Sequence, residues 1–156
     1  PTLLVAELQT AGRGRLGRGW QSGDGEPGGA LAFSLALSLA PRDWSGLSLA
    51  VGLAVAESLH PDIRLKWPND LWWQGRKLAG ILVETSSGSA AAADATRTAI
   101  VGIGVNIAPL DGAGFATPPA CLSVQMSSPF VRVEKVGLVS LGNALQGSNA
   151  LHAWLA

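Results

Sequence analysis

Residues 12–20 read Gly-Arg-Gly-Arg-Leu-Gly-Arg-Gly-Trp, with three arginines and no acid. Glycines let a backbone come close to a ligand and leave amides free to face phosphate oxygens. Arg13, Arg15 and Arg18 add permanently charged forks that match carboxylate and phosphate groups. The chemistry open to such a stretch is anion binding; a solvated basic turn is the plainer reading of the same composition. Three like charges so close together repel one another, so the loop is expected to be loose when empty and ordered when an anion fills it. Gly12 to Gly17 also satisfies G-x-G-x-x-G. That dinucleotide motif needs a helix to begin within it, because the helix N-terminus holds the pyrophosphate. Here Arg18-Gly19-Trp20 runs on into the turn-rich Gly23–Gly29, which cannot sustain a helix.

Fewer signals come from the other candidate positions. Pro68-Asn69-Asp70 is a turn presenting two short polar side chains, and alone it is an ordinary one. Lys77 opens an apolar strand, where a lysine reads first as a snorkelling surface residue. Asn106 ends an apolar strand, where a polar side chain either caps a turn or meets a ligand. Glu84 reads as an ordinary strand carboxylate, and the isolated His60 and His152 are given no chemistry. Cys121, the single cysteine, has no internal disulfide partner and reads as a small apolar filler in a protein of the reducing cytoplasm.

These residues need a scaffold. At 156 residues and 47% apolar composition the chain is expected to form one compact domain. Eleven basic residues balance eleven acidic ones, so no overall field draws it to nucleic acid or to a membrane. Its most apolar run, 30–39, is about half the length of a membrane helix and carries two serines. No leader peptide is visible at Pro1-Thr2-Leu3. The periodicities predict buried strands at 2–8 and 30–39, and a helix over 45–59 capped by Ser45 with Leu47, Val51, Val55 and Leu59 on one face. Short strands follow at 63–67 and 71–74, a hairpin turn at Gln74-Gly75-Arg76, and strands at 77–85 and 99–107. Residues 86–95 read as a Ser/Ala/Gly connector, and 136–155 as a terminal helix. Strands in hairpins with two helices make an α+β domain, not an alternating βαβ one.

Gln9-Thr10-Ala11-Gly12-Arg13-Gly14-Arg15-Leu16-Gly17-Arg18-Gly19-Trp20 closely resembles the biotin-binding loop of biotin–protein ligases, Q-x-A-G-R-G-R-x-x-R-x-W. Three more segments match that family in order: Lys66-Trp67-Pro68-Asn69-Asp70-Leu71, the stretch from Arg76 to Glu84, and Gly102-Ile103-Gly104-Val105-Asn106. The resemblance covers residues 2–108. It implies a mixed, largely antiparallel sheet flanked by helices, of the class II aminoacyl-tRNA synthetase and biotin ligase type. It also implies a two-step reaction, in which ATP activates biotin to biotinyl-5′-AMP and the acyl group passes to a lysine of a biotin carboxyl carrier domain.

Roles follow from the same resemblance. Arg15, Arg18 and Lys77 are the catalytic candidates. Gln9, Gly12, Arg13, Arg15, Lys77 and Gly80 are expected around biotin, with Gly80 letting the backbone approach its flat ring. Arg15, Arg18, Trp20, Asn69, Asp70, Lys77 and Asn106 are expected around ATP, with Trp20 as a stacking lid on adenine and Asp70 as a ligand to Mg²⁺. A lipoate–protein ligase-like transferase and a non-catalytic biotin- or nucleotide-binding module are the rival readings. Homodimerisation through a sheet edge is common in the family. Its upstream Ser-Thr-Asn type motif, its C-terminal β-barrel and the helix-turn-helix of its ligase–repressors find no match in residues 1–156, and Ala30-Leu31-Ala32-Phe33 replaces a more polar and aromatic strand start.

Overall fold

The computed structural model describes residues 1–23, 25–41, 43–86, 96–116 and 119–125. The expected connector, apart from its first residue, and the expected terminal helix lie outside the described residues, as does His152. Six strands form a single sheet: β1 (Thr2–Ala6), β2 (Ala30–Leu39), β3 (Arg64–Lys66), β4 (Asp70–Trp73), β5 (Arg76–Thr85) and β6 (Arg97–Asn106). Their spatial order is β1-β2-β6-β5-β4-β3. Every neighbouring pair among the described residues is antiparallel, in line with the largely antiparallel sheet expected. Helix α1 (Leu47–Leu59) crosses from β2 to β3, and a short α2 (Leu122–Gln125) follows β6.

Alternation along the strands decides which side of the sheet is filled. On β6, Ala99, Val101, Ile103 and Val105 are all buried in the core. They share it with Leu71 and Trp73 of β4, Ala79 and Ile81 of β5, and the buried stripe of α1 that includes Leu47, Val51, Val55 and Leu59. Odd-numbered residues of β2 join from the side, Phe33 fully and Leu31, Leu35 and Leu39 in part. Burying a side chain of this kind contributes about 1.5–3 kcal/mol, so this layer carries most of the fold's stability. His60, at the end of α1, stacks on Trp73 with ring centroids 4.8 Å apart, a packing role in keeping with its lack of assigned chemistry.

Two local expectations are corrected. Among the described residues Thr2–Ala6 is not a buried strand but a sheet edge paired only with β2, and Leu3, Leu4 and Val5 are exposed. Burial of that strand would need a layer on both of its sides, which apolar composition alone cannot reveal. Ser45 does not cap α1 either. Gly46 takes the cap position with no side-chain bond, while the Ser45 hydroxyl and amide both donate to the Asp43 carboxylate, at 2.6 and 2.8 Å. Its hydroxyl turned onto the Asp43 carboxylate, Ser45 does not present that oxygen to the first amides of the helix. Those two bonds, the side-chain one foremost, hold the Asp43 carboxyl below its ordinary value of 3.8.

Candidate active site

The glycine–arginine stretch folds back on itself as a small hairpin beyond β1. The Trp20 amide donates to the Gly12 carbonyl at 2.9 Å, the Gly14 amide to Arg18 at 2.7 Å, and the Arg18 amide to Arg15 at 3.2 Å. The tip is a single 3-10 turn, Arg15–Gly17, with Leu16 in the left-handed region at φ 57° and pointing into solvent. Gly12 has no room for a side chain, since a Cβ there would lie 2.3 Å from the Trp20 carbonyl oxygen. These bonds join the two arms of the hairpin at its base and near its tip. Its charges are partly answered from the sheet: Arg13 lies 3.5 Å from Glu84, and Arg15 donates to the Asn69 side-chain oxygen at 3.5 Å.

Beneath the hairpin is a cavity of about 360 Å³. Arg13, Arg15 and Arg18 border it from the loop, Asn69 and Asp70 from the turn into β4, and Lys77 from β5. Asn69 is anchored twice to β5, its amide donating to the Ile81 carbonyl at 2.8 Å and its own carbonyl accepting from the Ile81 amide at 2.9 Å. That leaves the Asn69 oxygen turned to Arg15. Lys77 Nζ sits 2.7 Å from Asp70 Oδ1, with both side chains partly buried. Lys77 is therefore no snorkelling surface lysine. A bulge where β4 meets β5 sets Lys77 against Trp72 while Gly80 faces Asp70, which brings the lysine and the aspartate together.

The floor is made of small residues. Gly80 of β5 and Gly104 of β6 are cross-strand partners, and Gly102 and Ser34 of β2 are the next such pair along β6. All four border the cavity. Trp20 reaches down onto this floor. A Cβ on Gly104 would lie 2.6 Å from its indole, and one on Gly80 3.1 Å from it. The expected lid over adenine is thus packed against the sheet, where glycines on two strands make the space that its own glycine-rich loop lacks. Its Nε1 is buried and finds no acceptor among the described residues. The Lys77 ammonium lies 5.4 Å from the indole.

The structure brings Gln9, Arg13, Arg15, Arg18, Trp20, Asn69, Asp70, Lys77 and Gly80 to one cavity. Gly12 and Asn106 do not border it. Gly12 closes the base of the hairpin. Asn106 is buried behind Lys77, donating to the Ala120 carbonyl at 3.0 Å and to the Lys77 carbonyl at 3.4 Å, while its Oδ1 has no partner among the described residues. Sequence reasoning left Glu84 and Ser34 out of the site, and both border it. The signal was available for Glu84. It stands two steps of two beyond Gly80, so it shares that residue's face of the strand.

A cavity ringed by four cations, answered by only two carboxylates and floored by bare backbone, is suited to a flat ligand carrying anionic groups. Residues 1–106 match the model of the biotin/lipoate A/B protein ligase family, and the chain belongs to that family. It is 44% identical over 111 residues to the bifunctional ligase/repressor BirA of Escherichia coli, covering 67% of this chain and 32% of that protein. It is 41% identical over 140 residues to the biotin–[acetyl-CoA-carboxylase] ligase of Paracoccus denitrificans, covering 78% of this chain and 52% of the relative. Among solved structures, the biotin protein ligase from Aquifex aeolicus in complex with biotin and ATP superposes with a TM-score of 0.72 at 31% identity, covering 98% of this chain and 61% of that one. The chain thus spans about a third to a half of the curated relatives it matches. The fold is that of the biotin protein ligases. No helix among the described residues is long and apolar enough to cross a membrane.

Proposed function

We propose that this chain is the catalytic portion of a biotin–protein ligase, which activates biotin with ATP to biotinyl-5′-AMP and passes the acyl group to a lysine of a biotin carboxyl carrier domain. The observation that carries the reading is the meeting of the arginine hairpin and Lys77 over one small-residue floor. Relatives named as biotin ligases, and a neighbour solved with biotin and ATP, support it.

The first step sets a carboxylate against a phosphate, and the repulsion between them is its main electrostatic obstacle. The biotin carboxylate attacks the α-phosphorus, the bond to the bridging oxygen breaks, and pyrophosphate leaves. Arg15 and Lys77 supply fixed positive charge where negative charge builds on phosphorus. Arg18 takes the outgoing phosphates. Gln9, Gly12 and Arg13 serve the acyl side, Gln9 as a hydrogen-bonding side chain at the cavity wall, Gly12 by closing the hairpin and Arg13 by its charge at the mouth. Asn69 steers Arg15, since its own amide is fixed to β5. Asp70 holds the Lys77 ammonium in place until a substrate anion competes for it.

Among the described residues no group of three or more His, Cys, Asp or Glu could hold a metal ion. The donor set fits a Mg²⁺ that arrives with ATP, held by phosphate oxygens and the Asp70 carboxylate, and that ion would neutralise the phosphates. Asn106 serves the site from behind, its side-chain amide holding the Ala120 and Lys77 carbonyls. In the second step the carrier lysine attacks the acyl carbon and AMP leaves. The hairpin shields the mixed anhydride from water until then.

Titration calorimetry with biotin, then with ATP and Mg²⁺, and with lipoate as control, tests the reading, followed by an assay of pyrophosphate release. Biotin binding with pyrophosphate release is the expected result. Lipoate binding without biotin binding would move the chain to the other branch of its family, and binding without pyrophosphate release would make it a binding module. Arg15→Ala is expected to slow pyrophosphate release by about 10–100-fold, the loss of a charge-assisted contact worth roughly 1.5–3 kcal/mol. Unchanged turnover would show that the hairpin has another role.

A further inference from the structure

We propose that Gly80 and Gly104 form a recessed seat for Trp20, and that the depth of this seat sets both the room left for the acyl acid and the position of the arginine hairpin. The proposal rests on the biotin reading for the identity of the acid. The seat itself rests on geometry alone. The two glycines are direct cross-strand partners on neighbouring strands, so together they open one continuous patch of bare backbone. The indole occupies that patch. A methyl group on Gly104 would lie 2.6 to 2.7 Å from three indole atoms, closer than side chains tolerate, and one on Gly80 would lie 3.1 Å away. Gly102, the next cavity residue of β6, behaves differently: a Cβ there meets nothing nearer than 3.6 Å and no indole atom. The floor therefore holds two kinds of glycine, a pair used by the protein's own tryptophan and one that faces open cavity.

The indole N–H is buried without an acceptor among the described residues, so packing rather than a hydrogen bond holds Trp20 down. A methyl beneath it is then enough to lift it. The backbone of Trp20 is tied to Gly12 by the 2.9 Å bond at the base of the hairpin, and its carbonyl oxygen packs where a Gly12 side chain would stand. An indole displaced from the seat therefore bears on the hairpin base, which carries Arg13, Arg15 and Arg18. Gly80 and Gly104 act as positioning residues through Trp20, rather than as surfaces for the ligand's ring, which is the role expected of Gly80 from the sequence.

A double-mutant cycle on the full chain decides between the two roles. Gly104→Ala is expected to weaken biotin binding in calorimetry about tenfold, and Gly80→Ala about threefold, because packing partners in direct contact couple by such factors. In a Trp20→Ala background, Gly104→Ala should cost less than about twofold, since the atom it collides with is gone. Gly102→Ala should cost the same factor in both backgrounds. Equal factors for Gly104→Ala in both would overturn the proposal and return the glycines to the ligand. A second readout needs no biotin: the rate of first tryptic cleavage after Arg13, Arg15 or Arg18, mapped by mass spectrometry. Gly104→Ala should raise that rate about tenfold with Trp20 present and leave it unchanged in the Trp20→Ala background. Tryptic coupling without any biotin binding would keep the seat and sink the biotin reading; biotin binding without coupling would do the reverse.

Discussion

The two faces of this sheet are built from the same strands and differ in almost every other respect. Along β6, Ala99, Val101, Ile103 and Val105 enter the core, while Ile100, Gly102 and Gly104 border the cavity. Along β5, Ala79 and Ile81 enter the core, while Gly80, Leu82 and Glu84 stand on the other side. One face is filled by α1. The other is left shallow by glycine and serine, and roofed by a hairpin carrying Arg13, Arg15 and Arg18. Packing on the first face fixes the strand positions, and that rigidity is what lets a face with little packing of its own hold charged groups in place. A functional cavity is here the cost-free side of a pleat whose other side has already secured the fold.

If the division of labour is right, substitutions on the two faces should fail differently. Lys77→Ala is expected to slow adenylation by about 10²–10³, as loss of a preorganised charge does at such sites. Its unfolding free energy, from denaturant titration, should change by less than about 1 kcal/mol, since the pair with Asp70 is only partly buried. Biotin affinity should fall less than the rate, and equal losses in both would reduce Lys77 to a ground-state binder. Val101→Ala, on the opposite face of the same sheet, should lower unfolding free energy by roughly 1.5–3 kcal/mol, with adenylation per folded molecule nearly unchanged. A large rate loss there would break the comparison.

Smaller effects sharpen it. Glu84→Gln removes the counter-charge of Arg13 in an exposed pair, so pyrophosphate release should change by less than about fivefold, the scale of a surface pair worth under about 1 kcal/mol. A stronger salt dependence of biotin binding in the variant would show that Glu84 tempers the field of the hairpin. The smallest effect belongs to Asp43, away from both faces. Its carboxyl is depressed by the bonds from Ser45, so the charged form is favoured in the folded state. Its contribution is full above its ordinary value of 3.8 and fades as pH falls through the lower folded value. The stability difference between wild type and Asp43→Asn should therefore shrink below about pH 4, and a constant difference across that range would contradict the assignment.

Much of the site was legible because its residues lie in short, dense segments. The arginine loop, the Pro68-Asn69-Asp70 turn, the strand opening at Lys77 and the Gly-Ile-Gly-Val-Asn strand end are each readable within a few positions, and the first three reach the cavity with their polar side chains. Partners separated along the chain were not legible. Arg13 and Glu84 stand 71 residues apart, and Arg15 and Asn69 54 apart, and only sheet order brings them together. The packing of Trp20 was not legible either, because the surface it lies on belongs to β5 and β6, far along the chain. Asn106 shows the same problem in reverse: a polar residue at a strand end looked ready for a ligand, but its amide is spent on holding Lys77 and Ala120.

From the sequence alone come the cationic, glycine-rich character of the hairpin, the α+β pattern and the family resemblance of residues 2–108, because charge, glycine content and alternation are local properties of a chain. Tertiary structure alone decided which face of each strand became core, which carboxylate answers which cation, and that the glycines of β5 and β6 open beneath Trp20. Those are matters of register between strands far apart in sequence. A shift of one residue in a pleated sheet would exchange its two faces, and no local pattern records which register won.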